Sequence, residues 1–151
     1  MNGPLAIVSP LDHPASVALS SVVGTSATIS RYDYTNAILA ATMELEILPE
    51  AQAELDALRW RDLGEWAAMT TALELLEAGG LKLGRGFTHK VRDANLWELR
   101  PRRGHSQWRA LYRRVANVLR VATICPEELF DRRGFEAGVR RALERLDRQS
   151  D

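Results

Sequence analysis

The sequence has little of what usually carries catalysis in small proteins. A single cysteine, Cys125, excludes a disulfide framework and any zinc site built from several thiolates. There is no HExxH-like or CxxC pair, so metal catalysis has no support and no metal is expected. Lys82–Arg85 with Gly84 and Gly86 is too short and wrongly ordered for a phosphate-binding P-loop, and no small-molecule cofactor is expected. No apolar run reaches the roughly 18–20 residues needed to cross a bilayer, so no membrane partner is expected. The first charged residue is Asp12, so the basic start of a cleavable secretion signal is missing and a cytoplasmic protein is expected. Net charge is also missing: 20 Lys and Arg balance 20 Asp and Glu over 151 residues. That length suits one globular domain with a core of its own.

The balanced total conceals two opposed segments. Residues 43–80 hold nine acids and two bases, a net −7, whereas residues 81–125 hold eleven bases and two acids, a net +9. Nine of those eleven bases are arginine, whose planar fork grips phosphate. Such asymmetry points to an anionic partner for the basic part. The plainer reading is a solvated basic face balanced by acidic helices.

Residues 1–42 carry three charges, Asp12, Arg31 and Asp33, and no sustained period, although Val17–Ile29 is mildly apolar. They are expected to be an N-terminal extension, with the domain proper spanning 43–151. Glu44–Leu48 alternates charged and apolar residues, the period of a half-buried strand. Pro49 then suits the first position of a helix whose inner face is Ala51, Leu55 and Leu58. Gly64 is expected to break it from a second helix over about Glu65–Ala78, which Gly79-Gly80 stops.

Strand patterns follow at Thr88–Val91, Leu96–Arg100, Gln107–Val115 and Val118–Ile124. Pro101–Gly104 and Ala116-Asn117 form turns between them. In Leu96–Arg100, Trp97 and Leu99 share one face while Glu98 and Arg100 share the other. A last helix begins near Gly134 with Phe135, Val139, Ala142 and Leu146 on its apolar stripe. The class is α+β: a small antiparallel sheet of three to five strands, with a helical hairpin and a C-terminal helix packed on one side.

The run Leu73–Gly80, then Leu83–Gly86, Lys90-Val91 and Leu96-Trp97-Glu98-Leu99-Arg100-Pro101, with Trp108-Arg109-Ala110-Leu111-Tyr112 after it, resembles the RelE/HigB superfamily of type II toxins. Within it the phage-derived, Gp49-like, HigB-type branch is the most similar. The resemblance covers roughly residues 43–148. It implies a RelE-like fold and a ribosome-dependent mRNA endonuclease in which the message's own 2′-hydroxyl attacks the adjacent phosphate without a metal. It also implies two partners: mRNA on the ribosome and a small antitoxin, expected to be of the helix-turn-helix type.

By this resemblance Arg100 matches the family's sheet arginine and Arg109 its partner on the adjacent strand, both expected to clamp the scissile phosphate. Lys90 is the candidate general base, since crowding by like charges disfavours a protonated lysine, or else a charge stabiliser. By alternation it shares a direction with Arg92 and not with His89. Arg85, Arg92, Arg102 and Arg103 are expected to hold the RNA backbone, with His105 a candidate proton carrier because histidine titrates near neutrality. Where the family carries a lysine-rich segment after the last strand, this chain reads Cys125-Pro126-Glu127-Glu128-Leu129-Phe130-Asp131-Arg132-Arg133. Two acids replace two lysines, and Arg132 and Arg133 are the candidates to restore the charge.

Trp66, Trp97, Trp108 and Tyr112 fall on apolar sides and are read as core, and Cys125 as a small buried hydrophobe. Two readings compete with the nuclease. One is a catalytically degenerate relative that binds RNA or the ribosome, favoured by Glu127 and Glu128. The other is a module whose basic groove binds an acidic antitoxin segment.

Overall fold

The structure, a computed structural model, describes residues 43–151. The expectations for residues 1–42, Val17–Ile29 included, lie outside the described residues.

The chain runs β1 (Glu44–Ile47), α1 (Pro49–Arg61), α2 (Leu63–Gly79), β2 (Thr88–Lys90), β3 (Trp97–Leu99), β4 (Trp108–Val115), β5 (Val118–Pro126) and α3 (Arg132–Arg148). Pro49 opens α1 with Glu50 in the first turn and Arg59 and Arg61 in the last, all of which suit the helix dipole. The break before α2 lies at Asp62, not at the expected Gly64. Asp62 adopts an extended backbone, and its carboxylate accepts the N–H of Glu65, a cap contributing about 1 kcal/mol. Gly64 sits within the first turn of α2. Likewise α3 starts at Arg132, two residues before the expected Gly134, because Asp131 caps it by accepting the Gly134 N–H.

The five strands form one sheet in the order β1-β5-β4-β3-β2. β1 pairs parallel with β5, and the other neighbours are antiparallel. The α+β class and the helical pair are as expected, but the helices do not all share one side. Leu99, Ala110, Tyr112, Val121 and Ile124 face α1 and α2, burying Leu55, Met69, Leu73 and Leu76. Leu111, Ala122 and Cys125 face the opposite way and meet Phe135, Ala142 and Leu146 of α3. The physical reason is that β4 and β5 are apolar on both faces, so each face needs its own cover.

β5 outruns β1, whose last residue, Ile47, lies opposite Val121. Beyond that point the strand edge is completed by side chains. Glu54 of α1 accepts the Ile124 N–H at 2.8 Å, and Arg145 of α3 donates to the Ala122 carbonyl at 2.8 Å. The two side chains also pair with each other at 2.9 Å. An ion pair thus stands where a further strand would hydrogen-bond, and it satisfies backbone groups that burial would otherwise strand.

Candidate functional site

α3 rests on β5 and β4. On the same face, β2 and β3 present His89, Glu98 and Arg100. Register makes the grouping: His89 is opposite Glu98, Glu98 is opposite Leu111, and Leu111 lies two residues from Arg109 on the same face of β4. Arg100 and Arg109 therefore stand side by side, and both reach towards Glu98.

Glu98 is the centre of this group. Arg100 Nε lies 3.6 Å from its Oε1, His89 Nδ1 lies 3.9 Å from the same oxygen, and Arg109 Nε lies 3.9 Å from Oε2. None of the three closes to a hydrogen bond, and the Nε atoms of Arg100 and Arg109 are buried with no other partner. Burial pushes the Glu98 carboxyl above its ordinary value, against the pull of Arg109, Arg100 and His89. The result is a carboxylate between two guanidinium groups yet disfavoured in its ionised form.

The two arginines differ in kind. Arg109 is enclosed: its side chain is 2% exposed, against 33% for Arg100. It donates to the carbonyls of Ser106 at 2.7 Å and Trp108 at 2.8 Å, and its Nη2 sits 3.8 Å from Glu127. Burial draws its guanidinium below its ordinary value, with Glu98 and Glu127 opposing. It is a fixed counter-charge, not an open fork. Arg100 is half-open and lies over Gly104, where φ is +95° and a Cβ would come within 2.9 Å of the guanidinium. Only glycine fits there.

Lys90 is not part of this group. Its register partner is Trp97, and that row (Thr88, Leu99 and Tyr112 with it) faces α1 and α2, so Lys90 is exposed at the sheet edge on the other face. The trio of Lys90, Arg100 and Arg109 is therefore not brought together. Alternation had already set Lys90 against His89, and it is His89 that shares the face of Glu98. Arg85, Arg92 and His105 are exposed in connecting segments. Arg102 and Arg103 occupy the turn after β3, both with left-handed backbones (φ +52° and +55°). Arg102 is tied to Glu65 at 2.7 Å and to the Gly64 carbonyl at 3.1 Å. Ser106 also donates to Glu65. Arg103 lies over the Phe87 ring, 5.4 Å from its centroid. Arg132 pairs with Glu136 within α3, and Arg133 is exposed.

Glu98 and His89 carry no role in the sequence motifs, and Glu127 figures there only as an acid in place of a lysine. For Glu98 the signal was available, since Trp97 and Leu99 point inward and so turn Glu98 and Arg100 to one face. Glu127 has no such signal. Its carboxylate accepts the N–H groups of Leu129 and Phe130, folding the loop before α3 on itself. The same side chain faces Arg109, so the acid that replaces a lysine of the resembled family is held as a loop staple and counter-charge.

Tyr112 and Cys125 hold no accessible proton chemistry. Burial pushes each up to about 12, the tyrosine beneath α1 and α2 and the thiol beneath α3. Among the described residues there is no cluster of three or more His, Cys, Asp or Glu able to hold a metal ion. No helix among them is long and apolar enough to cross a membrane.

Residues 53–119 match the family model described as Phage derived protein Gp49-like (DUF891), a segment that includes His89, Glu98, Arg100 and Arg109 but neither Glu127 nor Arg132 and Arg133. No curated protein matches the sequence. Among solved structures, the chain is similar to one from the YoeB–YefM complex of Staphylococcus aureus. Identity is 16% and the TM-score 0.42, over 56% of this chain and 95% of that one. A second, from the heterotetrameric YoeB–YefM toxin–antitoxin complex of the same organism, is 18% identical with a TM-score of 0.42, over 58% and 98%. Residues 53–119, a little under half of the chain, are thus similar to the phage-derived Gp49-like family, the branch that the sequence motifs resemble.

Proposed function

We propose that this protein is the toxin of a type II toxin–antitoxin pair and acts as a ribosome-dependent, metal-independent mRNA endonuclease, with a small antitoxin as its second partner. The observation that carries the reading is the Glu98 carboxylate, pushed up by burial and held between Arg100 and Arg109 beside an exposed His89. In-line cleavage of RNA needs three things: a base for the 2′-hydroxyl proton, positive charge on the phosphorane oxygens, and an acid for the leaving 5′-oxygen. Glu98 takes the base role, because a carboxyl raised towards the working pH is a better base than an ordinary one. Arg100, the half-open guanidinium, takes the phosphate oxygens. His89, 66% exposed, donates the proton to the leaving oxygen, and the message is left with a 2′,3′-cyclic phosphate. Arg109 touches no substrate in this scheme. It positions Glu98 from beneath, which revises the expectation of a second clamp. Lys90 on the other face is relieved of the base role, while Arg85, Arg92, Arg102, Arg103 and His105 remain candidates for backbone contact.

The test is induction of the full chain in cells with message ends mapped by primer extension. Codon-phased cuts are expected, lost in Glu98→Gln and Arg100→Ala and kept in Lys90→Met. The reverse pattern, loss in Lys90→Met alone, returns the base to Lys90. A second reading, a non-catalytic relative that binds RNA, the ribosome or an antitoxin, draws on the charge balance of the site, where Arg100 and Arg109 are matched by Glu98 and Glu127. Growth arrest without cuts selects it.

A further inference from the structure

We propose that Arg103 and Phe87 form a stacking platform for one unpaired base of a single-stranded RNA, next to the phosphate held by Arg100. The inference rests on the RNA-directed reading above and deepens it, by assigning one arginine a base-facing task instead of a backbone contact.

Three observations carry it. The first is backbone strain. Arg102 and Arg103 are consecutive residues with side chains, and both are left-handed (φ +52°, ψ 37° and φ +55°, ψ 33°). Such a conformation is unfavourable for L-residues and persists only where the surroundings hold it. Here Glu65 and the Gly64 carbonyl hold Arg102, and the Ser106 hydroxyl also donates to Glu65. The strained turn therefore delivers its second residue, Arg103, to a set place.

The second is what Arg103 meets there. Its guanidinium lies over Phe87, 5.4 Å from the ring centroid, and its stem runs past Gly86, whose missing side chain would meet the Arg103 Cγ at 3.8 Å. The guanidinium carbon lies over the ring, the residue is exposed, and no carboxylate among the described residues pairs with it. A guanidinium backed by an aromatic ring can offer its other side to a further flat, electron-rich ring, and nucleobases stack on arginine planes in this way. Preorganisation by Phe87 lowers the ordering cost of binding.

The third is continuity with the site. The Arg100 N–H donates to the Phe87 carbonyl at 2.6 Å, and the Arg100 guanidinium lies against Gly104, the residue after Arg103. The platform and the proposed phosphate clamp are thus joined through two backbone contacts.

The test uses the full chain and a fluorescently labelled, unstructured oligoribonucleotide with every 2′-hydroxyl methylated, a probe that cannot be cut. Anisotropy at fixed salt is expected to give about tenfold weaker binding for Arg103→Ala, the usual loss when a base-stacking side chain is truncated. Arg103→Lys, which keeps the charge and loses the plane, is expected to lose nearly as much while keeping the slope of affinity against salt. Phe87→Leu is expected to fall between, with thermal melting checking that it folds. Undiminished binding by Arg103→Lys reduces the residue to a point charge and overturns the platform. Binding of an acidic peptide by the full chain without any binding of the oligonucleotide assigns the surface to a protein partner and overturns it as well. The endonuclease reading fails separately: absence of message cuts in cells, with Arg103→Lys still weakening the probe, removes the nuclease and leaves the platform standing.

Discussion

Two arginine–glutamate clusters sit on the same sheet and are built to opposite ends. At the edge of β5, Glu54 and Arg145 meet at 2.9 Å and each also satisfies a backbone group of the strand, while Arg141 approaches the same Glu54 oxygen at 3.4 Å without its Nε closing a hydrogen bond. On the face of β2 and β3, Glu98 has two guanidinium neighbours and an imidazole, none nearer than 3.6 Å, and its carboxyl is pushed above the ordinary range. A cluster that serves the fold closes its hydrogen bonds, because an orphaned polar group in the interior is costly. The open cluster forgoes that closure and leaves the Nε atoms of Arg100 and Arg109 without hydrogen-bond partners. That unmet capacity is what a phosphate and a 2′-hydroxyl can use, and perturbed carboxyls of this kind gather at functional sites.

The contrast is broken most sharply by exchanging the consequences of the two glutamates. Glu98→Gln is expected to lower message cleavage by about 10²–10⁴, the usual contribution of a general base. It is expected to leave the fold intact. Because the folded carboxyl titrates above its unfolded value, its ionisation opposes folding at neutral pH, and that opposition fades as pH falls through the raised value. The melting temperature of Glu98→Gln should therefore match or exceed that of the parent at neutral pH, with the gap closing in acid. A large fall in melting temperature instead would make Glu98 a structural partner of Arg109.

Arg100→Ala is next in size, with about 10²–10³ lost in rate as one aimed donor is removed. It carries a second signature. Arg100 is among the charges that hold the Glu98 carboxyl down, so its loss lets burial push that group higher. The acid limb of the rate profile, which marks Glu98 losing its proton, should move to higher pH in Arg100→Ala and vanish in Glu98→Gln. A limb that stays in place would separate Arg100 from Glu98.

Glu54→Ala sharpens the other half of the comparison. It leaves Arg145 uncompensated and the Ile124 N–H without its acceptor, at a cost of about 3 kcal/mol in urea unfolding. Message cleavage by the folded fraction should be unchanged. Unaltered stability would mean that water closes the β5 edge as well as the carboxylate does.

The difference between the clusters was only half legible beforehand. Alternation placed Glu98 and Arg100 on one face, and the family motif brought Arg109 beside them, because strand period is a local property. What alternation does not carry is which face each helix covers. The apolar content of β4 and β5 on both sides was the available clue, and reading α3 onto the side of α1 and α2 missed it. Burial of Arg109 depends on the loop that Glu127 folds, a contact between Trp108–Val115 and residues beyond Pro126 that no local pattern encodes. Lys90 shows the converse: alternation sets it opposite to His89, and the crowding of like charges around it carries no information on which face the Glu98 group occupies. The helix starts at Leu63 and Arg132 were readable from Asp62 and Asp131, capping residues that a search for glycine passed over.

A third pair completes the gradient and predicts the smallest effect. Arg148 of α3 reaches Glu50 of α1 at 3.2 Å across the same edge that Glu54 and Arg145 close, with the two side chains 59% and 42% exposed. The chemistry is that of the Glu54 pair, and the two helices joined are the same. The difference is water: neither partner here satisfies a backbone group of the sheet, and both charges keep most of their hydration when separated. Exposed pairs of this kind contribute roughly 0–1 kcal/mol. Arg148→Ala should thus shift the urea midpoint by a small fraction of the Glu54→Ala shift, and that residue should shrink further in high salt, which screens exposed charges far more than enclosed ones. Equal losses from the two substitutions would show that the clasp between α1 and α3 draws its strength from joining the helices, and that capping the β5 edge adds nothing.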